Sequence, residues 1–164
     1  MEAPTTVKDL IVSELALFSW RDGNRLIPGV APRAWIGIAH VLANRLRAGW
    51  FDSDWMKILF EAPKHSSSLE MDFRTLPGHW DRDWRQHYEL CEQIYDNRLP
   101  DDVTTSANDS EYTTSAGIVR AGVYYCVLNK VTNPWFQEKI LDHPDDHPRT
   151  AEVSGGEGNL IFFA

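Results

Sequence analysis

Apolar side chains in the first half of the chain recur at the three- and four-residue spacing of amphipathic helices. Val7, Leu10, Ile11, Leu15 and Phe18 form one such stripe. Thr6 offers a capping hydroxyl ahead of it and Asp9 an acidic group in its first turn, both favourable at a helix N-terminus. Trp20-Arg-Asp-Gly-Asn-Arg is expected to end this helix, before a loop through Pro28 and Gly29. Pro32, suited to a first-turn position, opens a second helix. It runs through Ala34, Trp35, Ile38, Val41 and Leu42 to Leu46 and stops before Gly49. A short third helix, capped by Asp52 or Ser53, carries Trp55, Ile58 and Leu59 and ends at Pro63. Residues 64–79 read as a polar, mobile connection with three consecutive serines. A longer helix, about Asp81 to Asn97, places Trp84, Tyr88, Cys91 and Tyr95 on one stripe before Pro100 closes it.

The pattern then changes. Asp101 to Ser115 is almost wholly polar and longer than a turn, the kind of segment that is often functional or disordered. Val123-Tyr-Tyr-Cys-Val-Leu128 and Asn159-Leu-Ile-Phe-Phe163 are rich in strand formers. Between them, Asn133 to Ile140 reads as a short helix and His143 to Gly158 as a loop. The expected architecture is α+β, mainly α, with a small antiparallel sheet formed late in one domain spanning residues 1–164. No internal repeat or low-complexity tract interrupts it.

Composition narrows the function classes. A chain of 164 residues is about one domain's worth and long enough to bury a self-sufficient core. The 16 Lys and Arg against 24 Asp and Glu give a formal net charge of -8, a field that repels phosphate backbones. With no basic stripe, nucleic acid is excluded as a main partner. No run approaches the roughly 20 apolar residues of a membrane span, so membrane insertion is not expected. Cys91 and Cys126 belong to no CxxC pair and read as reduced thiols. The start of the chain lacks the positive region and apolar core of a secretory signal. Cytoplasmic synthesis is therefore expected, with delivery elsewhere by other means. The 7 Trp, 5 Tyr and 7 Phe supply enough rings to line a groove as well as fill a core.

One carboxyl stands out. On a helical wheel Glu14 projects among Val7, Leu10, Ile11 and Phe18, while Ser13 lies off that centre. Burial there would raise its pKa and keep it protonated near neutrality, as a general acid toward a glycosidic oxygen requires. The alternative is a Glu reaching round to solvent or pairing with Arg21, Arg25 or Arg45. Asn44 and Arg45 end the apolar stripe of the second helix, either as a buried hydrogen-bonding anchor or with Arg45 snorkelling. Asn44 otherwise suits a substrate amide or a catalytic water. His143-Pro-Asp-Asp-His147-Pro sets two imidazoles four apart, but its prolines argue for a loop rather than a helical zinc grip, so no metal is assigned. Trp50, Trp55, Trp80, Trp84 and Trp135 either pack the core or stack on sugar rings. Trp135, after Pro134, is the best placed for a cleft wall.

These residues fall in an order that resembles the cell wall hydrolase family, which includes the catalytic domain of spore-cortex-lytic germination enzymes. Val12-Ser-Glu14, then Ala34-Trp-Ile-Gly-Ile-Ala-His-Val-Leu-Ala-Asn44-Arg45-Leu, are similar to that family's Glu-bearing first helix and its small-residue helix ending in Asn-Arg. Ala121-Gly-Val-Tyr-Tyr125, followed by Asn133-Pro-Trp135, and Gly158-Asn-Leu-Ile-Phe-Phe163 look like the pieces that correspond to its later strand and its terminal strand. The resemblance implies a lysozyme-like fold that cleaves peptidoglycan glycan strands between N-acetylmuramic acid and N-acetylglucosamine. In lytic transglycosylases of this kind one carboxyl protonates the leaving oxygen and the sugar's 6-hydroxyl then attacks. Carried over, Glu14 takes the catalytic position, Asn44, Tyr124, Tyr125 and Trp135 line the substrate cleft, and no cofactor is implied. Together with the missing signal, this suggests a phage endolysin or virion-borne lysin.

The chain departs from the family at several points. Leu-Ala-Leu-Phe follows Glu14 where the family has Ala-Arg-Gly-Glu, and Leu160 stands where the last strand usually has His. A two-carboxylate glycosidase would need a second acid roughly 5–9.5 Å away, for which Asp22, Asp109 and Glu111 are the candidates. The acidic charge also suits a polyanionic wall polymer poorly. The alternatives are a non-catalytic module of the same fold that binds glycan or a protein partner, or an unrelated helical interaction protein.

Overall fold

The computed structural model describes residues 6–28, 32–68, 80–105, 112–114, 117–119, 121–155 and 158–164. Helices α1 (Val7–Leu26), α2 (Pro32–Arg47), α3 (Trp55–Glu61) and α4 (Trp80–Tyr95) form the larger layer. A hairpin of β1 (Tyr112–Thr114) and β2 (Gly117–Val119) follows. A three-stranded antiparallel sheet then forms from β3 (Tyr124–Cys126), β4 (Arg149–Gly155) and β5 (Gly158–Phe163), in the order β3-β5-β4. The short α5 (Pro134–Phe136), continued by a π-helical turn over Gln137–Leu141, lies between β3 and β4 in sequence. The expected mainly helical α+β architecture with a late antiparallel sheet is what the chain forms.

Local chemistry accounts for most boundaries. The Thr6 hydroxyl accepts from the Asp9 amide at 3.0 Å, the expected cap of α1. The segment Trp20 to Arg25, expected to end that helix, is helical throughout, and α1 ends at Leu26. Its end is held by Lys130, whose Nζ donates to the Leu26 carbonyl at 2.7 Å. The cap of α3 is Asp54, not Asp52 or Ser53: its carboxylate accepts from the Met56 amide at 2.9 Å. Asp52 and Ser53 instead belong to a tight turn with left-handed φ values of 58° and 60°. The segment read as a loop from His143 to Gly158 contains β4, which pairs with β5 from Arg149↔Phe163 to Gly155↔Gly158 through a register shift between Arg149 and Ala151. Its alternation of buried Thr150 and Val153 with exposed Glu152 and Ser154 is interrupted by that bulge, which obscures the period-2 signal.

β5 is central and apolar on both faces. Leu160 and Phe162, with Tyr125 and Val127, join the large core built by α1, α2 and α4. Ile161 and Phe163, with Tyr124 and Cys126, face α5 and pack on Phe136 and Ile140. Small residues set how closely the layers approach: a Cβ on Gly37 would stand 2.5 Å from the Phe162 ring, and one on Gly23 2.5 Å from Trp35. Cys91 and Cys126 are both buried free thiols, and burial pushes each up to about 12. Among the described residues no helix is long and apolar enough to cross a membrane.

Candidate functional site

The buried face of α1 is not the one the apolar wheel suggests. It runs through Val12, Ser13, Leu15, Ala16, Ser19, Trp20, Asp22, Gly23 and Leu26. Small side chains at positions 13, 16, 19 and 23 let α2 and α4 pack against it, whereas Val7 is 72% exposed and Leu10 39%. Glu14 is accordingly exposed, and it makes no hydrogen bond or ion pair among the described residues. The dry, apolar setting expected for its carboxyl is absent, and so are the expected pairings with Arg21, Arg25 or Arg45. The sequence did carry a signal for the true face, the recurrence of Ser13, Ala16, Ser19 and Gly23 at steps of three, three and four, but larger apolar residues on the neighbouring face masked it.

The most deeply buried carboxylate among the described residues is Asp22, two turns further along. It is 0% exposed. Arg25 donates to its Oδ1 from Nε at 2.8 Å and also from Nη2, and the Tyr125 hydroxyl donates to its Oδ2. Burial and the neighbouring Asp22 charge push the Tyr125 phenol well above its usual value, so it remains a donor. Asp22 is thus a paired anchor tying the end of α1 to β3, with no face left for a substrate. Asp109 and Glu111, the other candidate second acids, lie outside the described residues.

The expected cleft residues separate into two groups. Asn44 is 6% exposed and points inward. Its Nδ2 faces the Gly122 carbonyl at 2.9 Å, Asp101 Oδ2 at 3.1 Å and Thr104 Oγ1 at 3.2 Å, and its Oδ1 accepts from Arg47 at 2.9 Å. Asp101 in turn accepts from the Val103 and Thr104 amides at 3.0 and 2.9 Å. Asn44 therefore clamps the 101–104 turn to the start of β3 rather than lining a cleft. Tyr125, 3% exposed and committed to Asp22, does the same for α1.

Tyr124 and Trp135 are brought together. The Tyr124 ring lies 6.3 Å from Trp135, 5.6 Å from Trp50 and 5.3 Å from His147. His65 stands between Trp50 at 5.3 Å and Trp135 at 5.4 Å. Trp50, Phe51, His65 and Trp135 are each only half-buried, so their rings form an aromatic shelf at the surface. The shelf is fastened from below. Ser66, Ser67 and Ser68 are buried, not the mobile connection expected of residues 64–68; the remainder, 69–79, lies outside the described residues. The Ser67 carbonyl accepts from the Thr132 and Asn133 amides at 2.9 and 3.1 Å, and Asn133 Nδ2 donates to the Ser66 carbonyl at 2.8 Å. This seam holds Trp135 against His65. Burial, then the charge of Arg45, lowers the His65 pKa, so the shelf carries a neutral imidazole.

Beneath the shelf lies Arg45, 2% exposed. It is a buried anchor, not a snorkelling cation: Nε donates to the Val123 carbonyl at 2.8 Å, and the guanidinium carbon lies 5.1 Å from the Trp50 ring and 5.6 Å from Tyr124. Sequence reasoning left Trp50 undecided and missed His65, Phe51 and the role of Arg45 under the rings. The remaining tryptophans divide as follows. Trp84 is 7% exposed in the core and Trp55 stacks on Tyr95 at 6.1 Å, while the side chain of Trp80 lies outside the described residues. Neither imidazole of the 143–147 segment joins a metal cluster: His147 Nδ1 donates to the Ala164 carbonyl at 2.9 Å, and no group of three or more His, Cys, Asp or Glu able to hold a metal ion occurs among the described residues.

No family model matches the chain, and neither a curated protein nor a solved structure matches it.

Proposed function

We propose that the chain is a lysozyme-like module that recognises peptidoglycan glycan strands at the aromatic shelf, without cleaving them. The observation that carries this reading is the half-buried ring set of Trp50, His65 and Trp135 around Tyr124. Sugar rings present apolar C–H faces that stack on such platforms, while their hydroxyls keep water or polar neighbours. The acidic counterpart of the proposal is negative: the most deeply buried carboxylate, Asp22, is paired on both oxygens, and Glu14 sits on exposed helix surface. A general acid must stand within hydrogen-bond reach of the leaving oxygen, and both oxygens of Asp22 are already taken by Arg25 and Tyr125. Delivery to the wall through a lysis pore or as part of a phage particle belongs to the same reading.

A second reading, cleavage with Glu14 as acid and base, keeps one observation in its favour: that carboxylate is unpaired among the described residues and open to a ligand. One experiment separates them. Purified protein is incubated with cell-wall sacculi, then bound protein and soluble products are measured. The binding reading expects sedimentation with sacculi, loss of sedimentation in Trp135→Ala, and no soluble muropeptides. Release of muropeptides with anhydro ends, abolished by Glu14→Gln, establishes the catalytic reading instead. No sedimentation and no release removes both, leaving an interaction protein of another kind.

A further inference from the structure

The face of β5 that packs on α5 borders a cavity that none of the shelf residues Trp50, Phe51, His65 and Trp135 lines. Its volume is about 350 Å³, at the lower end of the roughly 300–1,000 Å³ of small-molecule sites. Leu128, Ile140, Leu141 and Phe163 give it apolar walls. Leu128 is 49% exposed, and Gln137 and Arg149 on the same lining are exposed as well, so the space opens to solvent.

The backbone along one wall is of a rare kind. Gln137, Ile140 and Leu141 all belong to the π-helical turn, in which the Asp142 amide donates to the Gln137 carbonyl at 2.9 Å. The Gln137 side chain closes the same turn, donating from Nε2 to Asp142 Oδ1 at 2.8 Å. Isolated π turns are uncommon and are found disproportionately at functional sites.

Charge on the lining is one-sided. Among the described residues Arg149 is the sole charged side chain there. It opens β4 opposite Phe163 and makes no hydrogen bond or ion pair among the described residues. The neighbouring carboxylates leave it free: Asp145 and Asp146 are exposed and line no part of the cavity, and Asp142 is engaged by Gln137. A guanidinium is well matched to a carboxylate, because its planar donors meet both oxygens. Mostly apolar walls with one charged group are the usual composition of a small-molecule site.

We propose that this cavity binds a small carboxylic acid with an apolar body, the hydrocarbon resting on Ile140, Leu141 and Phe163 and the carboxylate pairing with Arg149. The site shares no lining residue with the four half-buried rings of the shelf and does not rest on the glycan reading.

The test uses the whole chain and varies the ligand first. Calorimetric titration compares 3-cyclohexylpropionate, its primary amide and acetate, and amide chemical shifts locate the bound molecule. The acid should bind about tenfold tighter than the amide, the advantage of a charged over a neutral hydrogen-bonding partner. It should bind more than about tenfold tighter than acetate, which lacks the apolar body. Its binding should shift the amides of residues 137–141 and 149 and leave the Trp50 indole and the His65 amide unmoved. Arg149→Gln, a substitution at an exposed position that should keep the wild-type melting temperature, should lower the acid to the affinity of the amide. Equal affinities of acid and amide in the wild-type chain overturn the carboxylate assignment, as does a preference for the acid that survives Arg149→Gln. Acetate binding as tightly as the larger acid overturns the apolar half of the proposal. No saturable binding of the acid, or shifts confined to Trp50 and His65, overturns the site itself. None of these results bears on sedimentation with sacculi, so the shelf reading stands or falls separately.

Discussion

Ser19 and Asp22, one turn apart on α1, are both 0% exposed, yet they organise opposite kinds of buried polar cluster. Ser19 faces α4. Its Oγ lies 2.8 Å from the Leu15 carbonyl and 2.8 Å from His87 Nε2, which is also 3.1 Å from the Ala16 carbonyl. A carbonyl cannot donate, so Nε2 carries the proton, Ser19 donates to Leu15, and Nδ1 is left without a partner among the described residues. Trp35 and Trp84 close over the ring at 5.7 and 6.3 Å. Everything in this cluster is neutral, and burial lowers the His87 pKa to about 4. Asp22 faces β3 and is charged, held by Arg25 and Tyr125, with Arg45 beyond. The neutral cluster is a closed packing solution, reached by excluding charge. The charged one is satisfied on the Asp22 side and unsatisfied on the Arg45 side, and it is the cluster that approaches the surface.

The largest effect should come from breaking the charged cluster. Asp22→Ala strands Arg25 and the Tyr125 hydroxyl in the interior and removes a negative charge near Arg45, a loss that typically costs about 3–5 kcal/mol. For a chain of this size the melting temperature should fall by roughly 10 °C. Replacing Asp22 and Arg25 together, by Asn and Met, should be milder than Asp22→Ala because fewer charges remain unpaired. A melting temperature within a degree or two of wild type for Asp22→Ala would show that the cluster is not a structural anchor.

The neutral cluster predicts an acid sensitivity of definite sign. With His87 near 4 in the folded chain and 6.5 as its ordinary value, the unfolded chain binds more protons between those two values. Stability is therefore fully present above about pH 6.5 and falls as the pH drops toward 4, by about 3 kcal/mol in all for this residue. His40 and His65 are shifted in the same direction by burial and add to the slope. Denaturant midpoints measured from pH 7.5 to 4 in wild type and His87→Leu isolate the His87 share as the difference between the two profiles. Parallel profiles would mean that the imidazole titrates normally in the fold.

A smaller loss tests the clamp between the clusters. Asn44→Ala leaves the Gly122 carbonyl and part of Asp101 without a donor, at about 1–3 kcal/mol. Hydrogen exchange at the Gly122 amide, which is bonded to the Thr104 carbonyl at 3.2 Å, should quicken because the 101–104 turn loses its tie to α2. Unchanged exchange there would assign Asn44 no clamping role.

The contrast also explains which parts of the molecule were legible in the sequence. α2 was read to within a residue of its true end because Pro32, the apolar stripe and Gly49 agree with one another. The strand at β5 announced itself by an unbroken apolar run, as expected of a strand buried on both faces. β4 was hidden by its bulge. On α1 the wheel selected the face richest in large apolar residues, whereas helix packing selected the face with the smallest ones, so Glu14 and Ser13 exchanged their expected environments. At the site, Tyr124 and Trp135 were legible through short local motifs. His65 was not, because its neighbours Trp50 and Trp135 are brought to it by the seam between residues 66–68 and 132–133, a pairing nearly seventy residues apart that no local pattern encodes.

Position 14 gives the smallest expected effect and the sharpest discrimination. An exposed, unpaired carboxylate in the middle of a helix contributes little to stability: surface substitutions away from special features usually stay within about 0.5 kcal/mol, and Gln has nearly the helix propensity of Glu. Glu14→Gln should therefore leave the melting temperature unchanged, whereas a carboxyl held dry among apolar side chains would release its desolvation cost and raise it. Sedimentation with sacculi should be equally unaffected, because the shelf lies at the far end of α2 and around β3, not on the exposed face of α1. A gain of more than about 2 °C in melting temperature, which at this size corresponds to roughly 0.5–1 kcal/mol, would place the Glu14 carboxyl in an apolar environment after all and restore the acid that the cleavage reading needs.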